Sequence, residues 1–312
     1  MHIIPHWVQL RTAVLGDRYE LDGRACGFDH DVPALPLSKV PPTTSPKIQP
    51  PVYKLRFSDA GPAQPRTSNH PKTLPSNAVR PIAEAPALVW LKQQGWRKVW
   101  PRFGMGKDQP LVFAGPKEAR YLRLDADDVY YIWTKPVDID ARQWPILEIT
   151  WGMERFAEGA ALDVHGRSDR PLVIIVSFGK KLAGTNRLFP SVPRGLAFFW
   201  GETETVGQSY TCIQPRIGPE DVRMQCRYPH VHYIALRRNH AGSVHTEQVN
   251  LVAHFQRYFP KYWKMHRHIP PIVGISFEAG TTKTHSFSQS RLYALTFMKT
   301  ISAQKEIAQE EP

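Results

Sequence analysis

The sequence predicts an all-β domain: a two-layer β-sandwich of about ten strands with one packed α-helix, preceded by a proline-rich, disordered segment. Three observations predict it. Short apolar or alternating runs, rich in Val, Ile, Tyr, Phe and Trp, recur beyond Ala87 and are separated by Gly, Pro, Asp or Asn. No glycine-rich turn opens a helix after a strand, which argues against a doubly wound α/β sheet. Proline is concentrated at the front, with fourteen of the 29 in residues 1–86.

In chain order, residues 1–32 read as an N-terminal extension. Its first seven residues, Met1 to Trp7, show neither a basic n-region nor an apolar h-region, so no signal peptide is visible. Residues 33–86 read as an extended, largely disordered linker, because each proline fixes φ and removes a backbone donor. A lone strand is expected inside it at 52–57. The sandwich is expected over 87–299, with strands near 89–90, 121–124, 129–133, 146–151, 172–178, 196–200, 210–213, 231–236, 272–277 and 292–297. Leu251, Val252, Phe255, Tyr258 and Phe259 form an apolar stripe of helical period and predict one helix over 247–259. Thr246 or Asn250 would cap its start and Pro260 would end it. Residues 300–312 form a polar tail.

Forty Lys and Arg against 28 Asp and Glu give a net charge of +12, which favours polyanionic partners. The charge is spread along the chain without a nucleic-acid module signature, so no specific nucleic acid is expected. The longest apolar run, Leu172 to Val176, falls far short of the ~20 residues of a membrane helix. Three cysteines, Cys26, Cys212 and Cys226, lack a CxxC pair and argue against a disulfide framework or a thiolate zinc site. Whether Cys212 and Cys226 pair stays open. No nucleotide-binding, zinc-protease or serine-hydrolase motif is present, and no cofactor is implied. Oligomeric state leaves no mark in the sequence.

Several stretches, in order, resemble a bacterial family of uncharacterised proteins, domain of unknown function 3047. Residues 144–151, WPILEITW, are similar to its "YPxLEWRWK" strand, and Glu158 to Asp163 with Asp169-Arg170-Pro171 to its "EGxDxxxKxGDDxP" loop. Phe198-Phe199-Trp200 resembles its "YVW" strand, and Pro270 to Ile275 its "PPxxxGxxIxTD" strand. The resemblance implies a jelly-roll-like sandwich, a periplasmic or secreted location and carbohydrate handling. A true start at Met1 would instead imply a cytoplasmic protein. The chain also departs from the family pattern. "GDD" reads Arg167-Ser168-Asp169, "TDTDN" reads Glu278-Ala279-Gly280-Thr281-Thr282, and the Arg of "EWRW" is Thr150.

Candidate chemistry follows from residue type. Period-two alternation turns Glu148 away from the core face of its strand, and Asp163 or Asp169 would supply the second carboxylate of a glycosidase pair. Trp133 and Trp200 are candidate sugar platforms, with Thr150, Glu202 and Glu247 as polar ligand-binding partners. Eight of 13 histidines fall between His230 and His285, and the i, i+2 pair His230 and His232 shares a strand face suited to a metal. Residues 257–267 interleave cations with aromatic rings. The expected function is a non-catalytic glycan-binding module of the bacterial envelope, its partner a polysaccharide or acidic glycan. The alternatives are a hydrolase using paired carboxylates and a basic scaffold for an acidic polymer or protein.

Overall fold

The computed structural model describes residues 53–60, 86–99, 111–164, 166–182, 192–210 and 230–299. The extension at 1–32, the tail at 300–312, most of the 33–86 segment, residues 211–213 and all three cysteines lie outside the described residues.

Two six-stranded sheets face each other as a β-sandwich. Sheet I runs β10 (Ser243–Asn250), β6 (Ile146–Arg155), β12 (Phe287–Met298), β4 (Tyr121–Asp127), β3 (Val112–Ala114), and β1 (Tyr53–Arg56) also pairs with β12. Sheet II runs β2 (Arg97–Val99), β5 (Tyr130–Ile139), β11 (Ile272–Gly280), β7 (Arg170–Leu182), β8 (Val192–Gly201), β9 (Val231–Arg238). Every described ladder is antiparallel except β8 with β9.

Alternation builds the core. Leu147, Ile149 and Trp151 of β6 and Leu172, Ile174, Val176 and Phe178 of β7 are buried, and the Trp151 and Trp200 rings meet at 6.1 Å. Sheet II carries a second, smaller cluster on its outer face, comprising Leu162, Val173, Ala197, Phe199, Tyr210, Val231 and Ala235. That cover explains why β7 and β8 read as unbroken apolar runs: both their faces leave water.

Several elements differ from the sequence expectation. Val89 and Trp90 belong to a helix, α1 (Pro86–Gln93), not a strand. Pro86 sets φ at its first position, and Ala87 and Leu91 bury one face. The strand at 53–56 is not isolated, since Tyr53 pairs with Phe297 and Leu55 with Leu295. Residues 247–250 extend β10 rather than opening a helix, and β2 and β3 add two short edge strands. The expected helix is α2 (Leu251–Tyr258), capped by Asn250, whose side-chain oxygen accepts from the Ala253 N–H at 3.0 Å. Pro260 ends α2 and also opens α3 (Pro260–His266), occupying its first position. Phe255 of α2 packs edge-on against Phe178, so the pair of helices closes one end of the sandwich.

Candidate functional site

The outer face of sheet I is the open polar surface. On β4 Leu122, Leu124 and Ala126 are fully buried, so Tyr121, Arg123 and Asp125 face outward by the strand period. Register brings Arg291 opposite both Arg123 and Gly152, and Gln289 opposite Asp125 and Arg155. Tyr121, Arg123, Glu154, Gln289 and Arg291 thereby line a groove with about 90 Å³ of free space. Arg123 Nε meets Asp125 Oδ2 at 3.0 Å, and Gln289 Nε2 donates to Asp125 Oδ1 at 2.8 Å. Arg291 pairs with Glu154, lies 5.1 Å over the Tyr121 ring, and donates to the Tyr293 hydroxyl at 3.4 Å. The Tyr121 and Tyr293 rings pack at 5.0 Å.

This arrangement has a definite chemistry. Guanidinium and amide N–H groups donate, carboxylate oxygens accept, and the two kinds alternate across one rigid ladder. A hydroxyl both donates and accepts, so a row of hydroxyls matches such a surface better than a single charge does. Burial works against the Arg291 charge, but its bonds to Tyr293 and Glu154 hold the guanidinium above its usual range.

Glu148 and Thr150 share this face, six and four residues along β6 from Glu154. Glu148 Oε2 accepts from Gln248 Nε2 at 2.9 Å, and the Thr150 and Thr246 hydroxyls meet at 3.0 Å. Asp163 and Asp169 lie elsewhere, in the β6–β7 connection at the far end of β6. Seven residues of strand separate Glu148 from that end, roughly 23 Å. The expected carboxylate pair is therefore not assembled. Asp163 is exposed, whereas Asp169 is buried and anchors the β11–β12 turn. Its carboxylate accepts from the Lys283 and Thr284 backbone N–H groups at 2.9 and 2.6 Å and from the Thr284 hydroxyl at 2.7 Å.

Asp169, Glu202 and Glu204 do line one cleft with Arg170 and Trp200, but its free space is about 10 Å³, a single water. Glu204 is also an anchor. It is buried where a Gly201 Cβ would stand and accepts from Leu162 N at 2.9 Å and Thr203 N at 3.1 Å. Trp133 and Trp200 are 4% and 0% exposed, so neither presents a face to a sugar. Both sit on the inward side of their strands, and Trp200 Nε1 donates to the Asn239 carbonyl at 2.6 Å. Glu247 is engaged by Arg237 at 2.7 Å, an ion pair that ties edge strand β10 to edge strand β9.

His232 lies on β9, and His230 is the turn residue just before it. His232 is packed into aromatic surface, with its ring against Tyr258 and its Nδ1 3.1 Å from the Ser209 hydroxyl. Among the described residues no group of three or more His, Cys, Asp or Glu converges as a metal site.

Sequence reasoning missed the most deeply placed charge. Glu278 is 2% exposed on the outer face of sheet II, where Arg170 reaches its Oε1 at 2.9 Å and the Tyr130 hydroxyl donates to its Oε2 at 3.0 Å. The Arg170 guanidinium lies 4.6 Å over the Tyr233 ring. Burial works against the Arg170 charge, yet Glu278, Tyr233, Tyr130 and Asp169 together outweigh it and keep the guanidinium protonated; burial drives the Tyr130 phenol well up, and Glu278 drives it further. Gly280 makes the geometry possible, because a Cβ there would stand 2.7 Å from the Tyr130 ring. The one signal available in sequence was Glu278 replacing a family residue.

The fold and site define a jelly-roll-type β-sandwich domain whose outer face carries a polar groove. The chain belongs to the family described as protein of unknown function (DUF3047), whose model matches residues 112–295. None of the curated proteins matches it. Among solved structures, the Trichoderma harzianum endoglucanase 3 of family GH12 is 7% identical, with a TM-score of 0.30, covering 60% of this chain and 81% of that one. The native endo-1,4-β-glucanase CelB2 is 12% identical, with a TM-score of 0.30 and coverage of 66% and 94%. An ENZbleach xylanase mutant is 11% identical, with a TM-score of 0.27 and coverage of 82% and 100%. Similarity at this level transfers neither a residue nor an activity.

Proposed function

We propose that this domain is a non-catalytic glycan-binding module of the cell envelope that reads its ligand on the outer face of sheet I. The observation that carries the reading is the groove of Tyr121, Arg123, Glu154, Gln289 and Arg291, where donors and acceptors alternate beside an aromatic ring. Sugar hydroxyls satisfy both kinds of group, and a tyrosine ring can lie against pyranose C–H. The site stands on paired strands, so little ordering entropy is lost on binding.

A hydrolase needs two carboxylates about 5–10 Å apart. Glu148 is engaged by Gln248, and Glu154 on the same face lies six residues along β6, roughly 20 Å away. The two carboxylates of the groove itself, Asp125 and Glu154, are each tied to an arginine, Asp125 by Arg123 at 3.0 Å and Glu154 by Arg291, which favours binding over cleavage.

A glycan array with wild type, Tyr121→Ala and Gln289→Ala tests the proposal. The expected result is a set of glycans bound by wild type and weakened about tenfold or more in both variants, or ~1.4 kcal/mol. Reducing sugar released from a bound glycan would contradict the non-catalytic reading.

A further inference from the structure

The interleaved cations and rings at 257–267 are not used by the groove. They form the helical elbow that closes one end of the sandwich, where β7 finishes and β8 begins. Phe255, Phe259, Tyr262 and Trp263 turn inward onto the core. Lys261, Lys264, His266, Arg267 and His268 are exposed, and Met265 is 76% exposed among them. No Asp or Glu occurs between Glu247 and Glu278, and no described residue forms a salt bridge to Lys261, Lys264 or Arg267. More cations gather at the same end. The Gly179 N–H donates to the Pro271 carbonyl at 2.9 Å, which holds exposed Lys180 and Lys181 beside the exit of α3. Arg194 lies 4.3 Å over the Tyr262 ring, which also packs on His266 at 4.2 Å. The carboxylates at this end, Asp138 and Asp140, are on β5 and the turn after it, and Asp140 is held by Arg142 at 2.9 Å.

We infer that this elbow is a second binding surface, for an acidic polysaccharide with one carboxylate per sugar. Lys261 and Lys264 stand three residues apart on α3, a rise of ~4.5 Å, close to the length of one pyranose unit, and Arg267 is the left-handed residue that caps the helix. The rings that could stack bases are taken: Tyr262 lies between Arg194 and His266, and Trp263 is packed on the core. One exposed Met is too little apolar surface for an interfacial helix. The choice of a polysaccharide among polyanions rests on the glycan reading above; the unpaired charge does not.

The test uses the full chain and polygalacturonate of defined length, with its methyl ester as the uncharged control. Wild type is expected to bind the acid form, not the ester, with affinity that falls steeply as salt rises. Lys261→Gln/Lys264→Gln/Arg267→Gln should weaken binding at least tenfold and flatten the logarithmic salt slope by roughly 2. Lys180→Gln/Lys181→Gln should weaken it less. Equal binding of acid and ester, or unchanged affinity in the triple variant, overturns the inference. So does tighter binding to oligo-dT or to phosphatidylserine vesicles. Tyr121→Ala is run alongside. Loss of polygalacturonate in that variant with none in the triple variant overturns the elbow while leaving the groove intact. The reverse outcome supports the elbow whatever the fate of the groove.

Discussion

His232 and His254 lie on either side of Tyr258, with ring centroids 5.1 and 5.9 Å from it, and burial pushes both rings down to about 4. The charges of His230 and Arg257 add to the effect at His232 and His254 respectively. The folded rings stay neutral where the unfolded rings, near 6.5, take up protons. Stability is therefore full above about pH 6.5 and is lost as pH falls toward about 4, by on the order of 3 kcal/mol per ring. Urea midpoints at pH 7 and pH 4.5 should show the loss, and His254→Phe should remove about half of it. A midpoint independent of pH would contradict the burial. Arg170 and Glu278 show the other face of buried charge. Arg170→Met strands the carboxylate and should cost about 3–5 kcal/mol, much more than Arg170→Met combined with Glu278→Gln. Urea unfolding of the single and double variants measures this; equal losses in the two would deny that the ion pair is closed.

At the scale of elements, strands with an apolar stripe were legible and polar or very short ones were not. Leu172 to Phe178 announces β7 because both its faces are covered. β10 reads SVHTEQVN, whose inward positions His245 and Glu247 are polar because they meet the Trp200 ring and Arg237 at the sheet edge. Hydropathy alternation cannot register that. The helix stripe from Leu251 is visible in the sequence; of the two cap candidates Asn250 is the one used, which puts the start four residues after the expected 247. Asn250→Ala should lower stability by about 1 kcal/mol, seen as a shift in urea midpoint, while Thr246→Ala should leave the helix unchanged. Val89 and Trp90 misread as strand for a related reason: two apolar residues carry no period, and Pro86 decides the matter from outside the run.

Across the whole molecule, the sequence showed which residues are polar but not which converge. Asp169 reads as a reactive carboxylate and is a loop anchor, as is Glu204, their oxygens filled by backbone N–H groups. Trp133 and Trp200 looked like platforms and are core, because any ring on the inward phase of a central strand is drawn into the sandwich. The groove residues, by contrast, come from β4, β6 and β12, which are brought side by side only by a register that sequence does not state. The sandwich thus leaves one ladder of paired charges and polar groups facing outward from sheet I. The most direct measurement is titration of the isotope-labelled domain with a glycan found on the array, following amide shifts. Shifts are expected centred on residues 121–125, 152–154 and 289–293, absent in Gln289→Ala. Shifts centred on Asp169, Glu202 and Glu204 would contradict binding at the groove.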